Sequence, residues 1–172
     1  MEVLEAIRER RSVRKFKPGN VSLKTVAVLV EAARWAPSAG NIQPWEFIVV
    51  RQAEAKRRLV DAVLKQSFLS QASAVIVVCA DENQALRYGS RGKTLYCLQD
   101  TAAAVQNILL AACSMGLGAC WIGAFDEEGV KRVLKIPDGV RPVAVVPVGC
   151  PAEAPEPPER RPLKEIMHRE AF

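Results

Sequence analysis

The sequence predicts one domain in which helices flank a β-sheet, and three observations carry that prediction. Short runs rich in β-branched residues, Phe47–Val50, Ala74–Cys79 and Val143–Gly149, read as strands. Stretches with apolar residues three and four apart lie between them and read as helices. A chain of 172 residues with 49% hydrophobic content suits a single compact core.

Val3, Leu4 and Ile7 predict a first amphipathic helix, and Val26, Leu29, Val30 and Ala33 predict a second behind a Ser22 cap. Pro18-Gly19-Asn20 separates the two, and Pro37 ends the second. The turn formers Ser38 to Asn41 then lead into the strand Phe47–Val50, expected to be buried. Leu59, Val60, Val63 and Leu64 place a helix from about Ala53 to Lys65. Ala74–Cys79 is expected centrally in the sheet. Thr94 to Ser114 is the longest helical candidate and is apolar nearly all round, so it must be buried, in part against a second subunit. Gly116 is placed as its left-handed cap. Asp126, Glu127 and Glu128 open a short helix through Leu134, and Pro147 in the last strand points to an edge or a bulge. Pro151 to Pro158 is an extended connector that must lean on something else, for which the partner subunit is the natural candidate. No repeat and no domain boundary interrupts the chain.

Composition excludes several classes. Charged residues at 25% break up every apolar stretch, so none spans a bilayer, and the N-terminus lacks a secretory core; a cytoplasmic protein is expected. The five cysteines are odd in number, contain no C-x-x-C pair and read as buried free thiols. The lone His168 lies in a charged tail and reads as solvated, leaving no zinc set. The net charge of +5 gathers at Arg8 to Arg14 and at Arg160–Arg161, without the interleaved aromatics of a nucleic-acid surface. The alternative is that both clusters converge on one phosphate.

Familiar nucleotide fingerprints fail. Gly116-x-Gly118 has Trp121 where a third glycine belongs and follows a helix, no phosphate loop occurs, and no G-x-S-x-G elbow supports a hydrolase. Two other segments combine ligand-binding residue types. Arg10-Arg11-Ser12-Val13-Arg14-Lys15-Phe16 offers guanidinium forks and a hydroxyl suited to a phosphate dianion, and on composition alone reads equally as a solvated surface. Ala36 to Phe47 mixes small residues, amides and Trp45, which lets backbone approach a flat ligand, or forms a plain loop.

Taken in order, R-x-S-x-[RK]-x-F, A-P-S-x-x-N-x-Q-P-W-x-F, an alanine-rich helix ending G-L-G-x-x-W-I-G, and a C-terminal R-x-P-L resemble the nitroreductase family over nearly the whole chain. The resemblance implies an α+β sandwich with a mixed, mainly antiparallel sheet flanked by helices. It also implies an intertwined homodimer with FMN sites at the interface. Residues 1–172 would form one FMN-binding domain, with an arm from about 150 to 172 wrapping the partner. By the same resemblance Arg10 and Ser12 hold phosphate and ribityl groups, and Arg14 reaches the flavin's pyrimidine edge. Pro37, Ser38, Ala39 and Asn41 form the loop a partner places against the flavin. Arg160 reaches the phosphate and Arg161 shares it. Trp121, Ile122 and Gly123 face the ring system, with a backbone N–H near N5. No acidic residue stands at the Gly123 position, where family members often carry one. Gln66 resembles an amide that pairs with the pyrimidine and reads equally as a surface residue. Trp45 and Phe47 are expected in the core, Trp35 beside the first loop, and Tyr88 and Tyr96 along the pocket.

The activity implied is FMN-dependent transfer of hydride, or two electrons, from NADH or NADPH to a nitroaromatic, quinone, flavin or enone by a ping-pong mechanism. The flavin does the chemistry, so no dedicated catalytic residue is expected. Within the same fold the rival is a dehalogenase or flavin-fragmenting enzyme, for whose lid insertion the chain is short. Outside catalysis the rival is a flavin- or nucleic-acid-binding protein. No metal, nucleic acid or membrane partner is expected.

Overall fold

A computed structural model describes all 172 residues. A four-stranded sheet in the order β1-β2-β4-β3 forms the middle layer, built from β1 (Trp45–Val50), β2 (Ala74–Asp81), β3 (Gly118–Ala119) and β4 (Val140–Gly149). Every ladder is antiparallel, and the parallel component is a single bridge between Ser12 and Ala119. β2 is central and buried from Ala74 to Ala80, as its unbroken apolar run predicts. The side chains of Ala74, Ile76 and Val78 pack with α2 (Leu23–Arg34) and α4 (Cys97–Ser114), joining Val26, Leu29, Val105 and Ile108. Those of Val75, Val77 and Cys79 point the other way and join Leu59 of α3 (Ala53–Ala62) and Val130 of α5 (Glu127–Leu134). The two-residue period of the strand thus makes two cores on opposite faces of one sheet.

Local chemistry sets most boundaries where expected. Ser22 Oγ accepts the Thr25 N–H at 3.0 Å and caps α2. α4 ends in a Schellman motif: Gly116 at φ +69°, its N–H donating to Cys113, and the Leu117 N–H donating to Ala112 at 2.9 Å. Trp45 is buried, Phe47 packs against the core, and the five cysteines are free, with Cys79, Cys97 and Cys120 buried and Cys113 and Cys150 only partly so.

Several expectations need correction. β1 is an edge strand and only partly buried along its middle. α1 (Val3–Glu9) buries only Ala6 and leaves Val3 and Leu4 more than 60% exposed, because its own chain offers that face nothing to pack against. α3 stops at Ala62, since Leu64 and Lys65 adopt left-handed backbone, and Leu64 points to solvent. The regular α4 begins at Cys97, after a wider π turn over Gly92–Tyr96, not at Thr94. Trp35 lies beside the loop as expected but packs little against it, being 74% exposed with its ring N–H donating to Glu31 at 2.9 Å. Pro147 lies on neither an edge strand nor the bulge, which falls opposite Val78 and Cys79. Its carbonyl accepts from Cys120 on the outer side of β4, so its missing N–H faces that side too, where β3 is already giving out.

Candidate active site

The site begins where α1 ends. The chain turns out of the helix at Arg10, and residues 12–16 run beside β3: Ser12 bridges Ala119, and the Val13 N–H donates to the Ala119 carbonyl at 3.0 Å. That approach requires glycine at 118, because a Cβ there would lie 2.8 Å from Val13 Cγ1. The C-terminal connector closes on the same segment from outside. Phe16 bridges Pro151, and the Ala152 N–H donates to the Lys15 carbonyl at 2.9 Å. Glu153 Oε1 then accepts the backbone N–H groups of Arg14 and Lys15 at 2.6 and 3.0 Å. The first part of the connector therefore leans on its own chain rather than on a partner.

This anchoring brings the two basic clusters together. Arg10, Arg11, Ser12, Arg14 and Arg160 line one cavity of about 370 Å³, whose remaining walls are Pro155, Glu156 and Pro158. Arg11 also bends back to donate to the Arg10 carbonyl at 3.0 Å, and its buried Nε has no partner. Arg161 stays outside the cluster, donating to the Glu165 carbonyl at 3.1 Å. Cys120 adjoins Ser12 and Arg14; burial pushes its thiol up, outweighing Arg14 and Ser12, which pull it down.

Beyond β3, Ile122 is committed to the sheet: its N–H and carbonyl both pair with Val145, and its side chain enters the core. Trp121 projects outward at 38% exposure, beside Gly123. Gln66 reaches this stretch from the end of α3, donating to Val63 at 3.0 Å and Ala124 at 3.2 Å. Residues 10–12, 14 and 160 thus share one cavity, Trp121–Gly123 follow the strand that Ser12 bridges, and Gln66 is bonded to the carbonyl just beyond them.

The loop from Pro37 to Asn41 lies elsewhere. Asn41 lines a separate cavity with Arg34, Trp35, Ala36 and Gln43. The Ala39 N–H donates to Asp100 in the first turn of α4, whereas the cavity adjoining the arginines is lined by Cys113 and Gly116 at the other end of that helix. Asp100 and Cys113 are thirteen residues apart, about 20 Å at about 1.5 Å per residue. Gly40 holds φ +53° with the Tyr88 hydroxyl where a Cβ would stand, and Tyr88 meets Tyr96 edge to face. The tyrosines therefore brace this loop.

Sequence reasoning missed Glu153 and Asp100. Asp100 had a signal, as the only charged residue in Cys97–Ser114; Glu153 had none, being one of several acids in a proline-rich stretch.

The family model described as Nitroreductase family matches residues 7–68 and 61–150, and so spans both ligand segments and all four strands. The chain belongs to the nitroreductase family. A relative from Methanothermobacter thermautotrophicus, provisionally named NADH dehydrogenase/NAD(P)H nitroreductase, is 39% identical over 90% of this chain and 80% of its own length. The FMN reductase (NADPH) of Bacillus subtilis is 31% identical over 98% of this chain and 74% of its own. Among solved structures, the NADPH:FMN oxidoreductase of Vibrio harveyi complexed with NAD+ superposes with a TM-score of 0.90 at 25% identity, covering 99% of this chain and 77% of that one. The α+β sandwich of this nitroreductase-family chain is therefore shared with enzymes of known fold.

Proposed function

We propose that this chain is an FMN-dependent oxidoreductase that passes two electrons from NADH or NADPH to a small aromatic or conjugated acceptor, such as a nitroaromatic, quinone, flavin or enone, in a ping-pong cycle. The observation that carries the reading is the meeting of Arg10, Arg11, Arg14 and Arg160 with Ser12 around one cavity in a nitroreductase-family chain. The donor set fits the group: the guanidinium groups of Arg10, Arg11, Arg14 and Arg160 line the cavity with the Ser12 hydroxyl and suit an anionic phosphate. When bound, FMN supplies the two-electron chemistry, so the protein contributes binding, orientation and charge. Arg10, Arg11 and Arg160 hold the phosphate, joined by Arg161 when the arm docks; Ser12 binds the ribityl chain. Arg14 supplies fixed positive charge toward the pyrimidine edge, stabilising the reduced cofactor, with Gln66 as an amide partner. Trp121 and Gly123 are left to meet the ring, since Ile122 is held by Val145.

The same reading requires a homodimer. One chain places its arginines and its Pro37–Asn41 loop at opposite ends of α4. A two-fold pairing of α4 against α4 sets the loop end of one chain beside the arginine end of the other. The exposed Val3, Leu4 and Ile7 of α1 then gain a cover. Residues 1–172 act as one FMN-binding domain, and the arm from about 150 to 172, anchored at Pro151 to Glu153, wraps the partner with its exposed Leu163, Ile166 and Met167. No helix is long and apolar enough to cross a membrane, and we place the enzyme in the cytoplasm.

The test is a spectrum. The purified protein is expected to be yellow, to bleach under NADH or NADPH, and to recover its colour on adding a quinone or nitroaromatic. A colourless protein that takes up no FMN and binds DNA with steep salt dependence would overturn the reading.

A further inference from the structure

Asp100 is the one charged side chain of α4 and is 7% exposed, among alanines and other small residues. Its Oδ1 accepts the Ala39 N–H at 3.1 Å, and its Oδ2 is buried with no hydrogen-bond partner. Burial pushes its carboxyl up, while the Ala39 N–H pulls it down. Placing an acid there has a desolvation cost that an apolar residue would avoid.

The loop that Asp100 bonds holds uncommon backbone. Gly40, Asn41 and Gln43 have φ of +53°, +57° and +52°, so two side-chain-bearing residues occupy the left-handed region within four positions. The Asn41 N–H to Ser38 carbonyl bond and the Gln43 N–H to Ser38 Oγ bond, both 3.0 Å, close the loop on itself. The bond to Asp100 ties it to the long helix.

We propose that Asp100 is a positioning residue that fixes the Ser38–Asn41 loop in the shape with which it meets the flavin. The proposal rests on the FMN reading above. The acid acts through the Ala39 N–H and touches neither cofactor nor substrate. A carboxylate suits this role because a charged acceptor makes the stronger bond to an amide N–H.

The experiment reads amide hydrogen exchange over Ala39–Asn41 in FMN-free protein, and FMN affinity by quenching of flavin fluorescence. Asp100→Leu keeps the branching at Cγ but adds volume and removes the acceptor, and is expected to speed loop exchange and weaken FMN binding, each about tenfold. Asp100→Asn keeps an oxygen for Ala39 and is expected to stay within about threefold of wild type in both. Ala39→Pro deletes the donor from the other side; Ser38, at φ −142° and ψ 155°, already has the extended backbone a following proline requires. If the contact is the cause, the double variant Asp100→Leu/Ala39→Pro is no worse than the poorer single. Additive losses overturn the proposal, as does an Asp100→Leu protein with wild-type exchange and affinity. Should Asp100→Leu fail to fold, Ala39→Pro with unchanged FMN affinity overturns it, and loss in Ala39→Pro but not in Asp100→Asn supports it. A wild-type protein that binds no FMN would defeat the cofactor reading alone, because exchange in FMN-free protein still decides whether Asp100 holds the loop.

Discussion

Replacing Glu153 tests whether the C-terminal connector builds the phosphate site or merely passes over it. Glu153 Oε1 accepts two backbone N–H groups, from Arg14 at 2.6 Å and Lys15 at 3.0 Å, and so joins the connector bearing Arg160 to the segment bearing Arg10 to Arg14. Its contact with the Lys15 ammonium, at 4.0 Å and largely solvent-exposed, adds little. Hydrogen bonds to a charged group contribute about 1.5–3 kcal/mol; two donors share one oxygen here and solvent reaches it, so about 2 kcal/mol for the pair is reasonable. Passed entirely to cofactor binding, that loss is roughly 30-fold in Kd. Alanine also removes a negative charge beside a cationic cavity, an opposing effect worth at most about 1 kcal/mol across solvent and salt. Anchoring wins, and Glu153→Ala is expected to bind FMN about 5- to 30-fold more weakly, measured by fluorescence titration. Glu153→Gln keeps an acceptor and drops the charge, so its affinity stays level or tightens slightly. If alanine and glutamine both tighten binding, Glu153 is only a nearby negative charge and the anchoring argument is wrong.

Two further outcomes follow from the structure. Arg141 grips Glu127 through two bonds of 2.7 and 2.9 Å and holds its carboxyl below the usual range. A depressed acid adds stability that is complete above its unfolded pKa of about 4.3 and disappears as pH falls through the lower folded value. With both side chains two-fifths exposed, Glu127→Gln should cost only about 0.5–1 kcal/mol in urea unfolding at pH 7 and progressively less as pH falls below about 4.3; a cost that does not fall with pH would show that the pair is not the source. Gly40→Ala puts a Cβ at φ +53° onto the Tyr88 hydroxyl and should cost about 2 kcal/mol, or roughly 4–8 °C in Tm. Tyr88→Phe should relieve only part of this, because the ring carbon remains 2.8 Å from the new atom. An unchanged Tm in Gly40→Ala would mean the loop does not hold this shape.

What the sequence showed plainly was whatever depends on residue type over short range. The apolar run Ala74–Cys79 is the central strand because burial on both faces leaves no room for polar alternation, and Ser22 and Gly116 mark helix ends by local hydrogen bonding. The reading failed where a partner group decides. Val3, Leu4 and Ile7 have the spacing of a buried face, yet nothing in their own chain meets them. Pro147 looked like an edge residue because sequence cannot show that its neighbour β3 pairs over only two residues. The arginines were legible as a ligand set by their chemistry and the motif order. The acids proposed to position the site were harder to read: Glu153 is one of several acids in its stretch, and Asp100 shows only as a lone charge in an apolar helix.

That asymmetry bears on how the site is assembled. On the proposed FMN reading the phosphate end needs no second subunit, since Glu153, Ala152 and Pro151 fold the connector onto residues 14–16 and carry Arg160 to the arginine cavity. The Ser38–Asn41 loop is equally finished within one chain, clamped by its own turns, by Tyr88 and by Asp100. On the dimer proposed above, each half is preorganised before association, and two carboxylates that contact backbone N–H groups meet during folding part of the ordering entropy that would otherwise oppose dimerisation and cofactor binding.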